Sequence, residues 1–327
     1  MAAETLVEVW RGAFLESFHQ GHAVIIGPDG EIEASWGNPD EIILPRSACK
    51  MIQALPLVRS GLDLSTEQMA LACASHQGAA MHTDRVGQWL ADMGLHDDDL
   101  RCGSQEPADI PARDDLIRAG ESPCQIHNNC SGKHAGFLML NKHIGGAPEY
   151  VEPDHPLQRQ VRAAFEDSCA EESPGFGIDG CSAPNFATSL AGLARAAQGF
   201  AVADADSAEG RLRDAMMAHP ELVAGEGRAC THLMRAMNGR GAIKTGAEGV
   251  FLGILPGTGH GVALKISDGT TRASNAVMAA LLVRLGALED ADPTAQAFAR
   301  APLPNRRGIE AARLNAVPSL FGAAGSA

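Results

Sequence analysis

Four short stretches of this chain hold side chains able to do covalent chemistry. The first is Arg46-Ser47-Ala48-Cys49-Lys50, where a strand-like pattern gives way to a helical one. Ser47 and Lys50 stand three residues apart at a helix start, so they share a face. A desolvated, neutral lysine can take a serine proton, and the N–H groups of a helix start can receive a developing oxyanion. A serine N-cap beside a solvated lysine has the same spacing. The second stretch is Lys244-Thr245-Gly246, just before the strand-like run Gly249 to Leu255. The third, Ala74-Ser75-His76-Gln77-Gly78, supplies another serine, which Lys244 could serve. Its plain alternative is a helix end with a histidine near the last carbonyls.

The fourth stretch is Asn128-Asn129-Cys130-Ser131-Gly132-Lys133-His134, followed by the apolar run Ala135 to Leu140. A helix N-terminus and Lys133 would both favour a Cys130 thiolate. This reads either as a nucleophilic thiol or as part of a metal site completed from elsewhere. The Gly/Pro-rich loop Gly177 to Pro184 offers Cys181, and two thiolates suit zinc. The residues alone suggest His134 as the nitrogen ligand. The eight cysteines form no CxxC pair and are scattered, which points to reduced thiols.

These stretches need elements to hold them. Leu6 to Trp10 alternates like a strand, and His22 to Ile26 and Glu31 to Ser35 flank the turn Gly27-Pro28-Asp29-Gly30. From Ser47 the apolar period becomes helical, with Pro56 as an interruption. Ser65-Thr66-Glu67-Gln68 resembles a capping box ahead of Met69 to Ala74. Thr83 to Met93, Leu157 to Ser168, Phe186 to Gln198, Arg211 to His219 and Asn275 to Leu288 read as helices. Residues 95–128 read as a long surface excursion. Gly261 to Ser267 and Arg307 to Ala316 read as strands. The expectation is an α/β (α+β) fold: an antiparallel sheet from both termini, flanked by helices, with a helical middle. It is read as one domain over 1–327, with a sheet region at about 1–45 and 240–317 and a helical region at about 46–239.

The 327 residues carry 26 Lys and Arg against 40 Asp and Glu, a net charge of −14. Such an acidic chain with no basic stripe is a poor partner for nucleic acid or an anionic membrane. The start, Met1 to Gly12, has neither a basic nor an apolar leader pattern, and Ala276 to Val283 is too short to span a bilayer. A cytoplasmic protein is expected.

Taken together, PRSACKMIQALPLV, ACASHQG, NNCSGKHAGFL, DGCSAPNF, KTGAEGVF with nearby Cys230, and a late RRGIE run from about Val7 to Ile309. In that order they resemble the rhizobial-type (class 3, thermolabile) L-asparaginases. The resemblance implies a serine-β-lactamase-like fold, a homodimer, and hydrolysis of L-asparagine to L-aspartate and ammonia. It implies two Ser–Lys pairs, Ser47 with Lys50 and Ser75 with Lys244, and one zinc per subunit held by Cys130, Lys133 and Cys181. It places Asp179 at the substrate α-amino group, with Arg46, Asn129 and His134 as further substrate-binding candidates. Ser47 is favoured as nucleophile because SxxK gives it a base by local geometry. Three alternatives stay open: a penicillin-recognising serine hydrolase, a glutaminase, and a non-catalytic zinc-binding or redox protein. Ser75-His76-Gln77 where Ser-Asp-Asn would stand argues against the first.

Overall fold

The computed structural model describes residues 2–322. The chain folds as two compact units. The first holds the residues up to Ala48, Thr188–Val202, and those from His232 onward. The second holds Cys49–Ala187 and Ala203–Thr231.

The first unit is built on an antiparallel sheet. Its strands run in the order Pro302–Pro304, Glu310–Ala316, Glu4–Arg11, Phe14–Ile26, His260–Ile266, Val250–Leu255 and Ala242–Thr245. Ile32–Trp36 pairs separately with Phe14–Ile26. Strands from both ends of the chain thus share one sheet, as the pattern predicted. The fold is mixed α/β. Every residue of Val250–Leu255 is buried, so both faces of that strand are covered. Gly261 faces the helix Leu190–Val202, where a Cβ would stand 2.2 Å from the Gln198 nitrogen. Gly253, the partner of the next residue Val262, instead faces Met278 of the helix Thr271–Arg284. Neighbouring strand positions point to opposite faces, so the two helices cover opposite sides of the sheet.

The expected helix Phe186 to Gln198 starts later than its pattern suggested. Pro184–Phe186 and Thr188–Ser189 are short strands, the latter paired with Ile42–Ile43, and the helix begins at Leu190. Ser189 Oγ accepts from the Gly192 N–H, which fixes that start. The helix belongs with the sheet unit although it lies in the middle of the sequence.

The second unit is helical. Lys50–Gln53 and Leu55–Arg59 are separate helices, with Pro56 in the first turn of the second, where its missing N–H costs nothing. Thr66–Ala72 carries the capping box: Ser65 Oγ accepts from Gln68 N–H, and the Gln68 side chain accepts from Ser65 N–H. It packs on Ser131–Ile144, where a Cβ at Gly132 would stand 2.5 Å from the Leu71 carbonyl oxygen. The glycine of the Cys130 stretch is therefore a close-approach residue. The excursion 95–128 contains a helix, Ile110–Ala119, capped by Asp109. Among the described residues no helix is long and apolar enough to cross a membrane.

Candidate active site

Within the helical unit, three of the chemistry-bearing stretches meet. Lys50 is wholly buried. Its Nζ donates to the Ala74 carbonyl oxygen, to Ser75 Oγ at 3.0 Å and to Cys130 Sγ at 3.1 Å. The backbone locks this meeting in place. Ser75 N–H donates to the Val223 carbonyl and His76 N–H to the Asn129 carbonyl. Those two N–H groups are therefore already engaged. Cys130 caps the helix Ser131–Ile144, with its N–H on Asn128 Oδ1 at 2.8 Å and its thiol on Asn129 Oδ1 at 3.0 Å. Asn129 thus serves Cys130 directly.

Cys181 reaches the same cluster from a hairpin. Phe176–Ile178 pairs with Pro184–Phe186, and residues 179–182 form the turn, with Ser182 in the left-handed region at φ 69°. The turn leaves Asp179 half-buried and sends Cys181 inward. Lys133 Nζ lies 3.0 Å from Cys181 Sγ and 5.2 Å from the centre of the Phe137 ring.

The electrostatics separate the cysteines. Burial pushes Cys49 and Cys102 up to about 12, so they are protonated filler. Cys130 and Cys181 share a hydrogen bond that raises the first and lowers the second. Cys181 is the thiolate of the pair. Burial alone would lower Lys133, but the Cys181 and Cys130 sulfurs outweigh it and the net shift is upward. Lys133 and Cys181 are thus a buried ion pair, favourable only because each charge has a partner.

Two further residues bear on the site, the first of which was expected only as a histidine near the last carbonyls of a helix. His76 is buried, its Nε2 is 2.9 Å from Ser131 Oγ, and its Nδ1 accepts from Gly78 N–H at 3.1 Å. Ser131 Oγ donates to the Ile126 carbonyl, so the His76 proton sits on Nε2. Burial pushes His76 well below the ordinary histidine value, and the ring stays neutral. It ties the Ser75 turn to the start of the Cys130 helix. Tyr150 is the second; as a lone tyrosine outside any motif it carried no signal. Its hydroxyl lies 2.9 Å from His134 Nδ1. His134, a substrate-binding candidate by motif, is wholly buried, and burial pushes it down to about 4.

The remaining candidates belong to the sheet unit. Ser47 sits on the 3-10 turn Arg46–Cys49, half-buried, with no hydrogen-bond partner for its hydroxyl among the described residues. Arg46 adopts φ 52°, a strained backbone for a side-chain-bearing residue, and lines a cavity of about 480 Å³ with Glu41, Glu248 and Lys265. Lys244 is buried on its strand, with Nζ on the Thr245 carbonyl at 2.8 Å. Gly246 lies against the Ser47 turn: a Cβ there would stand 2.5 Å from the Pro45 oxygen and 3.2 Å from the Ala48 nitrogen. Only a glycine lets the third residue of KTG approach that closely. Cys230, which falls in the helical unit, is buried on the helix Ala229–Met237.

The family model for L-asparaginase II matches residues 7–316. The chain belongs to the L-asparaginase II family. Membership makes it an amidohydrolase by descent. No curated protein matches the chain. Among solved structures it is similar to a β-lactamase from Mycobacterium bovis, at 16% identity and TM-score 0.47 over 81% of this chain and 94% of that one. It is similar to a putative β-lactamase from Bacteroides dorei, at 11% identity and TM-score 0.40 over 75% and 84%. A β-lactamase from Sphaerobacter thermophilus gives 16% identity and TM-score 0.36 over 85% and 91%. At those scores the likeness carries no functional weight.

Proposed function

We propose that this protein hydrolyses the side-chain amide of L-asparagine to L-aspartate and ammonia through an acyl-enzyme. The observation that carries the proposal is the Lys50 amine, wholly buried and held 3.0 Å from the Ser75 hydroxyl, in a chain of the L-asparaginase II family. Ser47 is the proposed nucleophile. Its hydroxyl is half-exposed and unpartnered, as a group that must meet substrate should be, and it stands three residues before Lys50 on a continuous turn. Ser75 is buried and clasped by Lys50, which suits it to passing protons rather than attacking. Lys50, uncharged for this step, takes the Ser47 proton as the serine oxygen adds to the amide carbon. The tetrahedral oxyanion collapses, the proton goes to the leaving ammonia, and water hydrolyses the ester. Lys244 is proposed to serve Ser75, and Arg46, Asn129 and Asp179 to hold the amino-acid end of the substrate.

Zinc is part of the proposal. Two buried sulfurs are present to take it, and the Lys133 nitrogen, 3.0 Å from one of them, would give up its proton to join them. Among the described residues no three His, Cys, Asp or Glu side chains gather to hold a metal, so Lys133 has to be counted. Cys130, Lys133 and Cys181 would hold the ion, which supplies fixed positive charge to orient the substrate. A homodimer and a cytoplasmic location complete the proposal.

The test is ammonia release from L-asparagine and L-glutamine. Ser47→Ala and Lys50→Met each lower kcat by roughly three orders of magnitude or more, with the fold intact by circular dichroism. Near-full activity in Ser47→Ala with a dead Ser75→Ala would transfer the nucleophile role to Ser75. A wild-type chain that releases no ammonia from either amide would end the proposal.

A further inference from the structure

The cavity of about 480 Å³ in the sheet unit has walls that include none of Ser47, Lys50, Ser75 or Lys244. Charged groups of both signs line it: Arg46 and Lys265, with Glu41 and Glu248. They do not neutralise one another. Glu41, Glu248 and Lys265 each have no oppositely charged side chain at ion-pair distance among the described residues. The Lys265 amine donates instead to the Glu248 carbonyl oxygen. Burial, and to a smaller degree the Arg46 charge, pushes the Lys265 amine down. An anionic group in the cavity would relieve both costs.

A second donor points the same way. His22 stands directly opposite Lys265 on the neighbouring strand, so the two side chains leave one face of the sheet. The ring lines the cavity and is only 6% exposed. Its Nδ1 accepts from the Asn38 backbone N–H at 2.8 Å, which puts the ring proton on Nε2. That N–H has no acceptor among the described residues. A donor on so buried a ring costs free energy until something accepts from it. The walls are strained as well. Arg46 at φ 52° and Glu248 at φ 58° are two of the five described non-glycine residues in the left-handed region, and such strain gathers at ligand clamps. We propose that this cavity is a binding site for a free α-amino acid, separate from the catalytic residues. The ligand carboxylate takes the Lys265 amine and the His22 Nε2–H, and its ammonium group takes Glu41 and Glu248. A plain anion would leave two carboxylates unmet, and a plain cation would leave the amine and the imidazole unmet. A ligand carrying both charges satisfies both ends, which is the source of the selectivity.

The experiment titrates the full chain, labelled with ¹⁵N-histidine, with L-aspartate and with succinate, and follows the His22 ring by long-range ¹H–¹⁵N NMR. Succinate carries the carboxylates without the ammonium group. L-Aspartate is expected to shift the His22 signals saturably, with a midpoint about tenfold or more below that of succinate. Lys265→Met is expected to weaken the aspartate response by about tenfold or more. Glu248→Gln is expected to remove most of the preference for aspartate over succinate. His22 signals that ignore L-aspartate overturn the proposal. So does an equal response to succinate, which would leave an anion site only. Both of those outcomes are read on the wild type, so no variant has to fold. An aspartate midpoint unchanged in Lys265→Met places the ligand elsewhere and also overturns it. A chain that releases no ammonia from asparagine ends the proposed function and leaves this readout untouched.

Discussion

The sheet unit and the helical unit solve opposite problems. The sheet unit buries aliphatic side chains almost without interruption: Ala23 to Ile26, Val250 to Leu255 and Ala276 to Leu282 are buried runs. Among its described residues the buried amine and imidazoles are Lys244, His19 and His22. The helical unit buries Lys50, Lys133, His76, His82 and His134 within a single helical framework. Burial of apolar area stabilises without regard to direction, whereas a buried amine or imidazole costs free energy unless its partners are in place. One unit is therefore held mainly by apolar packing, and the other adds to its own apolar core a lattice of buried polar groups whose partners have to be brought together.

The sharpest way to break the sheet unit is steric. A Cβ at Gly261 would stand 2.2 Å from the Gln198 nitrogen and 2.3 Å from the Ala194 oxygen, both backbone atoms that no rotamer change can move. Gly261→Val is expected to cost on the order of 3 kcal/mol or more. Denaturant midpoints would show it, and a loss under 1 kcal/mol would mean that the helix is free to shift off the sheet.

The sequence disclosed these two units unequally. Alternation and turn residues carried the sheet: the Gly27 to Gly30 turn and the strands at 250–255 and 260–266 lie within a residue or two of their patterns. The helix at 190–202 was misplaced at its start because Phe186 and Ala187 extend its apolar pattern backwards. What stopped it was pairing with Ile42–Ile43, which no local pattern records. For the site, the motifs gave residue types but not partners. SxxK put Lys50 with Ser47 through local spacing, while the hydrogen bond to Ser75 depends on the Val223 and Asn129 carbonyls, far along the chain. Tyr150 was silent because its role exists only once His134 is beside it.

Acid should separate the units by pH window. In the helical unit burial holds His134 down at about 4 and also lowers His76 and His82. Their unfolded forms bind protons at the ordinary histidine value, so the unfolded state takes up more protons between the two values. The stability from neutral His134 is full above about pH 6.5 and lost as pH falls toward 4, roughly 3 kcal/mol for this residue. In the sheet unit burial pushes Asp268 up, but hydrogen bonds from Thr270 and His19 outweigh that and bring it to about 2. Its contribution is present above the ordinary carboxylate value and lost only as pH falls toward 2. Hydrogen exchange at pH 5 is expected to show the helix Ser131–Ile144 losing protection before the strands 250–266. Simultaneous loss would mean that the two units respond to acid as one.

The smallest expected effect tests whether the helical unit also leans on local signals. Ser65 and Gln68 close a reciprocal capping box at 3.1 Å and 3.0 Å, on the exposed end of the helix that leads to Ser75. Ser65→Ala removes one acceptor and leaves an N–H to water, which costs about 1 kcal/mol. For a unit of this size that corresponds to a fall in Tm of about 3 °C. The other end of the same helix is fixed by Ser75 N–H on Val223 and by Gly132 against Leu71, neither of which depends on the cap. Ammonia release at 25 °C is therefore expected to stay within about twofold of the wild type. A large loss of activity with an unchanged Tm would show that the cap, and not the polar lattice, holds Ser75 in position.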